Sequence, residues 1–466
     1  MKNWRQVSRK FRRKSKQVWN HTRAARRRLP RNLPNIECIV NRLGARGDGV
    51  AETEITLDYQ PQKLKLFIPA SLPNERLKVK PVSRSSEGVR AEILELIEQS
   101  AYRIAPSCDV FPSCGGCQFQ HMHIKAYQNW KETALCSVLS KAGITPIQTK
   151  PTIWTGPRSR RRVTISFRRI NDTFILGFVG RASQFIQTLS SCTIMLPALH
   201  ETVLKLQEWG HQLPVGSAGQ CQLNLLDSGI DILVKPLEAF THDTLSAIAS
   251  ETKKIRCQRL SVLNPGEDEP ILIYAEGEVK LRWGDLDLNP PSGAFLQASL
   301  IGESALQNAV LDCVADAQNI ADIFCGSGTL SAPLLNKGKT LIAADSASSV
   351  THFQQAANKA GYGHEATFLR RNLFDAPLRA EELRGIECAI IDPPRSGAAL
   401  QISEVIKAHI PSLAMISCNP NSFARDAQRL LAAGYICEWL RMIDQFHLTP
   451  HIELVAHFAL YEDAPA

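Results

Sequence analysis

Short apolar runs of strand length dominate this chain, and their spacing changes twice along it. Between residues 34 and 98 the runs IECIVNRL, TLDYQ, KLKLFIPA, ERLKVKPV and RAEILELIE alternate apolar with polar positions. Turn signals such as ARGDG separate them, and Gly47-Asp48-Gly49 suits a tight hairpin. Strands this short and this close predict a small closed β-barrel of the oligonucleotide-binding type over 34–98. Residues 99–290 mix helical and strand periodicities, with a basic run passing into a strand at RSRRRVTISFRR (158–169) and an exposed loop at NPGEDEP (264–270). This predicts a central α+β domain. From 291 to 466 strands alternate with helices: ADIF (321–324), LIAAD (341–345), CAIID (388–392) and LAMIS (413–417) each meet a polar or Gly/Pro turn before a helical stretch. Repeated βα units predict a Rossmann-like, doubly wound parallel sheet, with ligands bound at the carboxyl ends of its strands.

Composition narrows the class. The 466 residues are 44% hydrophobic and 21% charged, which suits several buried cores and excludes wholesale disorder. No apolar stretch approaches the ~20 residues of a membrane span, so no membrane association is expected. The net charge of +9 is unevenly spread. Residues 1–31 hold thirteen of the 54 Lys and Arg and no acid, leaving 41 basic against 45 acidic side chains elsewhere. A basic tail at 1–33 suits phosphate backbones, although a solvated extension or an Arg-rich targeting segment has the same composition. No apolar core of a secretory signal follows it. With thirteen cysteines, a reducing, cytoplasmic setting is expected, in which thiols serve as ligands or nucleophiles. Cys38, Cys136, Cys221, Cys257, Cys313, Cys388 and Cys437 sit singly and read as small buried hydrophobes.

The remaining cysteines carry the chemistry. Cys108, Cys114 and Cys117 fall within ten residues, the last two flanking a Gly-Gly turn. Thiolates so spaced converge on a metal, with Cys192 as the candidate fourth ligand. Zinc and an iron–sulfur cluster both fit four thiolates. Asp322-Ile-Phe-Cys-Gly326-Ser-Gly328-Thr329 closes the first strand of the parallel sheet, and Asp345 ends the next. A glycine turn lacking the third glycine of a dinucleotide cradle, followed by an acid placed for a ribose diol, favours adenosylmethionine over a dinucleotide. Asp392-Pro-Pro-Arg395 sets a carboxylate on a stiffened backbone at a third strand end. Ser417-Cys418-Asn419-Pro420 places a cysteine at a fourth, where a helix amino end can lower a thiol pKa and make it a nucleophile. Glu453, in His451-Ile-Glu453, is the candidate base beside it. Arg158 and Arg160–Arg162 are candidate phosphate contacts.

Taken together, these elements resemble the RNA uracil-5-methyltransferase family, in particular its 23S ribosomal-RNA branch. The barrel is similar to a TRAM domain, and the match continues through the cysteine set, Phe295-Leu-Gln297, Phe324-Cys-Gly-x-Gly328, Asp392-Pro-Pro-Arg395, Ser417-Cys-Asn-Pro420 and His451-x-Glu453. It runs from about residue 36 to the carboxyl terminus. The resemblance implies a class I methyltransferase domain at 291–466 and an iron–sulfur-containing central domain at 99–290. It implies a 4Fe–4S cluster on Cys108, Cys114, Cys117 and Cys192, and adenosylmethionine contacts at Gln297, Phe324, Asp345, Asn372 and Asp392 beside Gly326, Gly328 and Thr329. Thr329 and Asp345 stand where the family commonly has asparagine and glutamate. The implied activity is methylation of C5 of a uridine in 23S rRNA through a covalent Cys418–C6 adduct, with Glu453 removing the C5 proton. The flipped-out base that this chemistry needs can lean on aromatics such as Phe295. A transfer-RNA substrate and a non-catalytic RNA-binding role in ribosome assembly are the alternatives. A monomer is expected.

Overall fold

The computed structural model describes residues 27–28, 34–57, 60–181 and 183–461. Apart from Arg27 and Arg28, the basic segment 1–33 lies outside the described residues. The chain forms two compact units, one reaching to Ala105 and taking in His121–His123, the other made of Pro106–Gln120 and Ile124 onward.

In the first unit the chain from Ile36 to Leu43 bends once. Ile36–Ile39 pairs with Arg76–Val79, and Arg42–Leu43 pairs with Gly49–Val50. Strands Gly49–Leu57, Gln60–Ile68, Gly88–Glu98 and Arg76–Ser85 continue the order, so the sheet closes on itself. The hairpin at Gly47 forms as its sequence demands, with Gly44 N donating to Asp48 O at 2.7 Å and Gly47 at φ 77°. Glu75 is fully buried here. Its carboxylate takes a bidentate hydrogen bond from Arg103 and one from the Leu72 amide at 2.8 Å.

Among the described residues the second unit holds two large sheets and a two-stranded one, Leu281–Trp283 with Leu286–Leu288. In the central one, Ile186–Thr188, Thr173–Val179, Arg162–Ile170, Ala218–Leu226, Gly229–Pro236, Arg259–Val262 and Ile271–Ala275 lie side by side in that order. The strict alternation of Arg162–Ile170 buries Val163, Ile165 and Phe167 against helices Pro197–Trp209 and His242–Thr252.

The carboxyl-terminal sheet is built from seven main strands: β1 Asn319–Ile323, β2 Thr340–Asp345, β3 Ala366–Arg370, β4 Cys388–Ile391, β5 Ser412–Ser417, β6 Tyr435–Asp444 and β7 Glu453–Leu460. Their order is β3-β2-β1-β4-β5-β7-β6, parallel except for β7. The order reverses beside β1, the switch point at which such sheets bind ligands. Both faces are covered, so the strands are apolar throughout. On β4, Cys388 and Ile390 join the core beneath helices Leu300–Val314 and Ser349–Lys359, while Ala389 and Ile391 join that beneath Ala399–Lys407 and Pro420–Ala432. The helix Ile124–Lys141 also packs on the second face through Leu135 and Leu139, and Gln148–Thr149 extends the sheet beyond β6. The parallel sheet is therefore assembled from both ends of this unit. Among the described residues, no helix is long and apolar enough to cross a membrane.

Helix Ile124–Lys141 carries a buried charge into this contact. Lys131 Nζ meets Asp444 Oδ1 at 2.5 Å, and both side chains are wholly enclosed. Tyr127 Oη donates to the other carboxylate oxygen at 2.7 Å. Removing one partner of such a pair strands the other in a low dielectric, which costs about 3–5 kcal/mol. Lys131→Met is expected to lower stability by that amount in urea unfolding, and Lys131→Met with Asp444→Leu to recover most of it. A single-variant loss under about 1 kcal/mol contradicts this.

Candidate active site

The turn after β1 is tightly wound. Phe324, Gly326 and Gly328 all have positive φ (69°, 56° and 81°). A Cβ on Gly328 would lie 2.4 Å from the buried Phe353 ring, so only glycine fits. Phe324 is a non-glycine in left-handed backbone, a strain that marks functional turns. Its ring rests on Phe374 at 5.5 Å. The turn is pinned by Asp345 at the end of β2, whose Oδ2 accepts from Gly326 N at 3.0 Å and Oδ1 from Ala347 N at 2.7 Å. Oδ1 also accepts from the Ser346 hydroxyl at 3.5 Å, and Oδ2 keeps a second lone pair for a ligand.

Two further acids face this turn. Asp322 is fully buried, and burial, reinforced by Asp392 and Asp345 and opposed by the Ser331 hydroxyl, lifts its carboxyl to about 7. Burial and Asp345 raise Asp392, at the end of β4, likewise to about 7. Thr329 is buried behind the turn, and its carbonyl accepts from Gln307. Asn372 is exposed after β3, with its side chain hydrogen-bonded to Asp375 and to the Phe374 amide.

The nucleophile and base candidates meet at the ends of β5 and β7. Asn419 caps the helix Pro420–Ala432 by accepting from Asn421 N. It also donates to Arg395 O at 2.9 Å, which seats the Asp392–Arg395 turn against Cys418. The helix amino end does not lower the Cys418 thiol as the sequence suggests. Burial raises it, the Glu453 and Asp392 carboxylates raise it further, and only Arg395 opposes them. Glu453, 4% exposed, is pushed up to about 8 by burial and by Asp392, against a hydrogen bond from Gln445 and the charges of Arg395 and Arg162. Gln445 Nε2 donates to Glu453 Oε2 and to Gln297 Oε1, both at 2.8 Å. Arg395 Nη2 lies 3.4 Å from His451 Nδ1, and burial and Arg395 push that imidazole down to about 4. Phe295 is exposed, with the Arg162 guanidinium 4.2 Å from its ring centroid.

Cys108, Cys114, Cys117 and Cys192 line one cavity together with Phe111, Phe178 and Leu189. Backbone bonds tie its walls to their neighbours: Gly115 N donates to Val179 O, and Arg158 N to Thr193 O. Burial raises the Cys114 and Cys117 thiols, their neighbours in the set raise them further, and Arg160 opposes both. No group of three His, Cys, Asp or Glu among the described residues is arranged to hold a metal ion. Two expectations need correcting. Arg161 is not a phosphate contact: it is buried, ion-paired with Glu303, and donates to Gln297 O. Cys136 is exposed on its helix rather than buried.

Arg395, His451 and Asp322 stand inside the motifs but their roles emerge only from the geometry. Gln445 carries no sequence signal beyond its place after a strand.

Comparison with known proteins agrees with this arrangement. A family model described as tRNA (uracil-5-)-methyltransferase matches residues 288–458. An uncharacterised RNA methyltransferase of Mesorhizobium japonicum is 31% identical over 90% of this chain and 96% of its own. The 23S rRNA (uracil(1939)-C(5))-methyltransferase of Shewanella baltica is 28% identical over 90% and 95%. The crystal structure of the Pyrococcus abyssi tRNA (uracil-54, C5)-methyltransferase in complex with S-adenosyl-L-homocysteine shares the fold, with a TM-score of 0.70 at 18% identity over 91% of this chain and 99% of that one. With strand order, strand-end residues and relatives in agreement, the chain belongs to the adenosylmethionine-dependent RNA uracil-5-methyltransferase family.

Proposed function

We propose that the chain methylates C5 of a uridine in 23S ribosomal RNA through a covalent adduct on Cys418. The observation that carries this reading is that Cys418 and Glu453 stand at paired ends of β5 and β7, where Ser417 pairs with Leu454, while Asn419 donates to Arg395 O of the turn after β4. Uracil C5 is a poor nucleophile. Addition of the Cys418 thiolate to C6 moves the electron pair of the C5–C6 bond toward C5 and O4, making C5 nucleophilic. When bound, adenosylmethionine supplies the electrophilic methyl group, held by Gln297, Phe324, Gly326, Gly328, Thr329, Asp345, Asn372 and Asp392. Glu453 then takes the C5 proton, the C5–C6 double bond re-forms, and the thiolate leaves. Arg395 steadies the thiolate against two carboxylates, while Phe295 and Arg162 offer a stacking face to the extruded base. The 23S assignment follows the Shewanella relative's substrate.

The four cysteines fit a 4Fe–4S cluster better than inert thiols, since four thiols lining one enclosed, largely apolar cavity beside an arginine suit a net-negative cluster. Cys108, Cys114, Cys117 and Cys192 would hold it, and methyl transfer draws no electron from it.

On ribosomal-RNA fragments carrying 5-fluorouridine, wild-type protein and adenosylmethionine are expected to yield an adduct that survives denaturing electrophoresis. Cys418→Ala is expected to lose it while still binding adenosylmethionine. An adduct formed only on transfer RNA moves the substrate, and none on either RNA defeats the covalent reading. Because Glu453 and Cys418 both hold their protons above neutrality, turnover is expected to rise between pH 7 and 9. A flat rate across that window contradicts their roles. Anaerobically purified protein is expected to contain iron and acid-labile sulfide in equal amounts, and Cys192→Ser to lose both. Wild-type protein free of both rules the cluster out.

A further inference from the structure

Gln445 is 2% exposed and spends its whole side-chain amide inside the site. Its Oε1 accepts from Ala298 N at 2.9 Å, and its Nε2 donates to Gln297 Oε1 and Glu453 Oε2, both at 2.8 Å. The backbone amide of Ala298 can only donate, so the Gln445 oxygen must face it. The two N–H bonds are thereby aimed at the two acceptors.

The mount is rigid. Asp444, the preceding residue, is clamped by Lys131 and Tyr127. On the other side Gly302 leaves the necessary room, since a Cβ there would lie 2.7 Å from Gln445 Cβ. The hydrogen bond occupies Oε2 of Glu453 and leaves Oε1 without a partner from Gln445. A carboxylate held by one oxygen presents the other in a fixed direction.

We propose that Gln445 is a positioning residue for the proton-abstraction step: from its place just after β6, tied to Gln297 and Ala298, it holds Glu453 by one oxygen so that the other oxygen meets the C5 proton. This rests on the reading of Glu453 as the base. In that step the proton passes to Glu453, the C–H electron pair re-forms the C5–C6 double bond, and the bond from Cys418 to C6 breaks to release thiolate. Addition and methylation come before it and do not use the base.

The order of events supplies the test. 5-Fluorouridine carries no C5 proton, so its methylated adduct forms whether or not the base is aligned. Gln445→Leu, and Gln445→Met as a variant of similar length and volume, are expected to form that adduct within about 3-fold of the wild-type rate. On uridine RNA their single-turnover release of product should fall about 10- to 100-fold, the rate equivalent of one charge-assisted hydrogen bond, with the covalent adduct accumulating. An equal fall on both RNAs in both variants makes Gln445 merely structural and overturns the proposal. Unchanged release on uridine overturns it too. Glu453→Gln distinguishes the premise: normal release in that variant refutes the base assignment itself, whatever Gln445 does.

Discussion

The enclosed ion pair between Lys131 and Asp444 is the joint on which the active end of the sheet depends. Asp444 is the last residue of β6, and the segment that leads through Gln445 to Glu453 follows it. Its carboxylate binds Lys131 and Tyr127 from the helix Ile124–Lys141, and its carbonyl accepts from Thr155 at 2.7 Å. Tyr127 Oη in turn accepts from the Leu448 amide. A charge with no water to retreat to tolerates only one arrangement of its partners. The connection from Asp444 to Glu453 thus inherits a fixed origin, although it has little regular structure of its own.

That fixed origin matters because the site concentrates negative charge. Asp322, Asp345 and Asp392 lie at the carboxyl ends of three adjacent strands, and Glu453 opens the antiparallel β7. Burial and mutual repulsion keep Asp322, Asp392 and Glu453 protonated well above the ordinary carboxylate range. Such a cleft is costly when empty of cations, and a sulfonium-bearing ligand relieves it. The same repulsion raises the Cys418 thiol, so Arg395 is its main counterweight. The Asn419 side chain, by holding Arg395 O, decides where that counterweight sits. A cluster of acids and an ionisable thiol make opposed demands here, and Arg395 answers both.

How much of this the sequence disclosed depends on whether a residue acts through local pattern or through assembly. Parallel strands buried on both faces announce themselves as apolar runs, and the residues closing them had to gather at one sheet edge. The glycine turn, Asp345, Asp392, Cys418 and Glu453 were legible for that reason. Arg161 was misread because a run of basic residues looks solvated until an acid 142 positions away is brought against it. The helix Ile124–Lys141 belongs to the parallel sheet, yet the whole central sheet separates it from β1. Gln445 is an amide with no periodic or compositional mark. The Cys418 thiol goes up rather than down because helix-end polarity, a local property, is outweighed by burial and then by two carboxylates delivered by other strands.

The cysteine cavity and the base are also parts of one packing problem. The segment with Cys114 and Cys117 continues into Gln118 and Phe119, whose amides both donate to the Leu448 carbonyl, at 2.8 and 3.2 Å. Leu448 sits in left-handed backbone at φ 57°, a conformation that costs a non-glycine residue about 1–2 kcal/mol. Three hydrogen bonds, two to its carbonyl and one from its amide to Tyr127, offset that cost. Leu448 lies between Gln445 and Glu453. The shape of the cysteine turn therefore bears on the path of the segment that runs from Gln445 to Glu453, and two backbone bonds make the cavity wall and that segment interdependent.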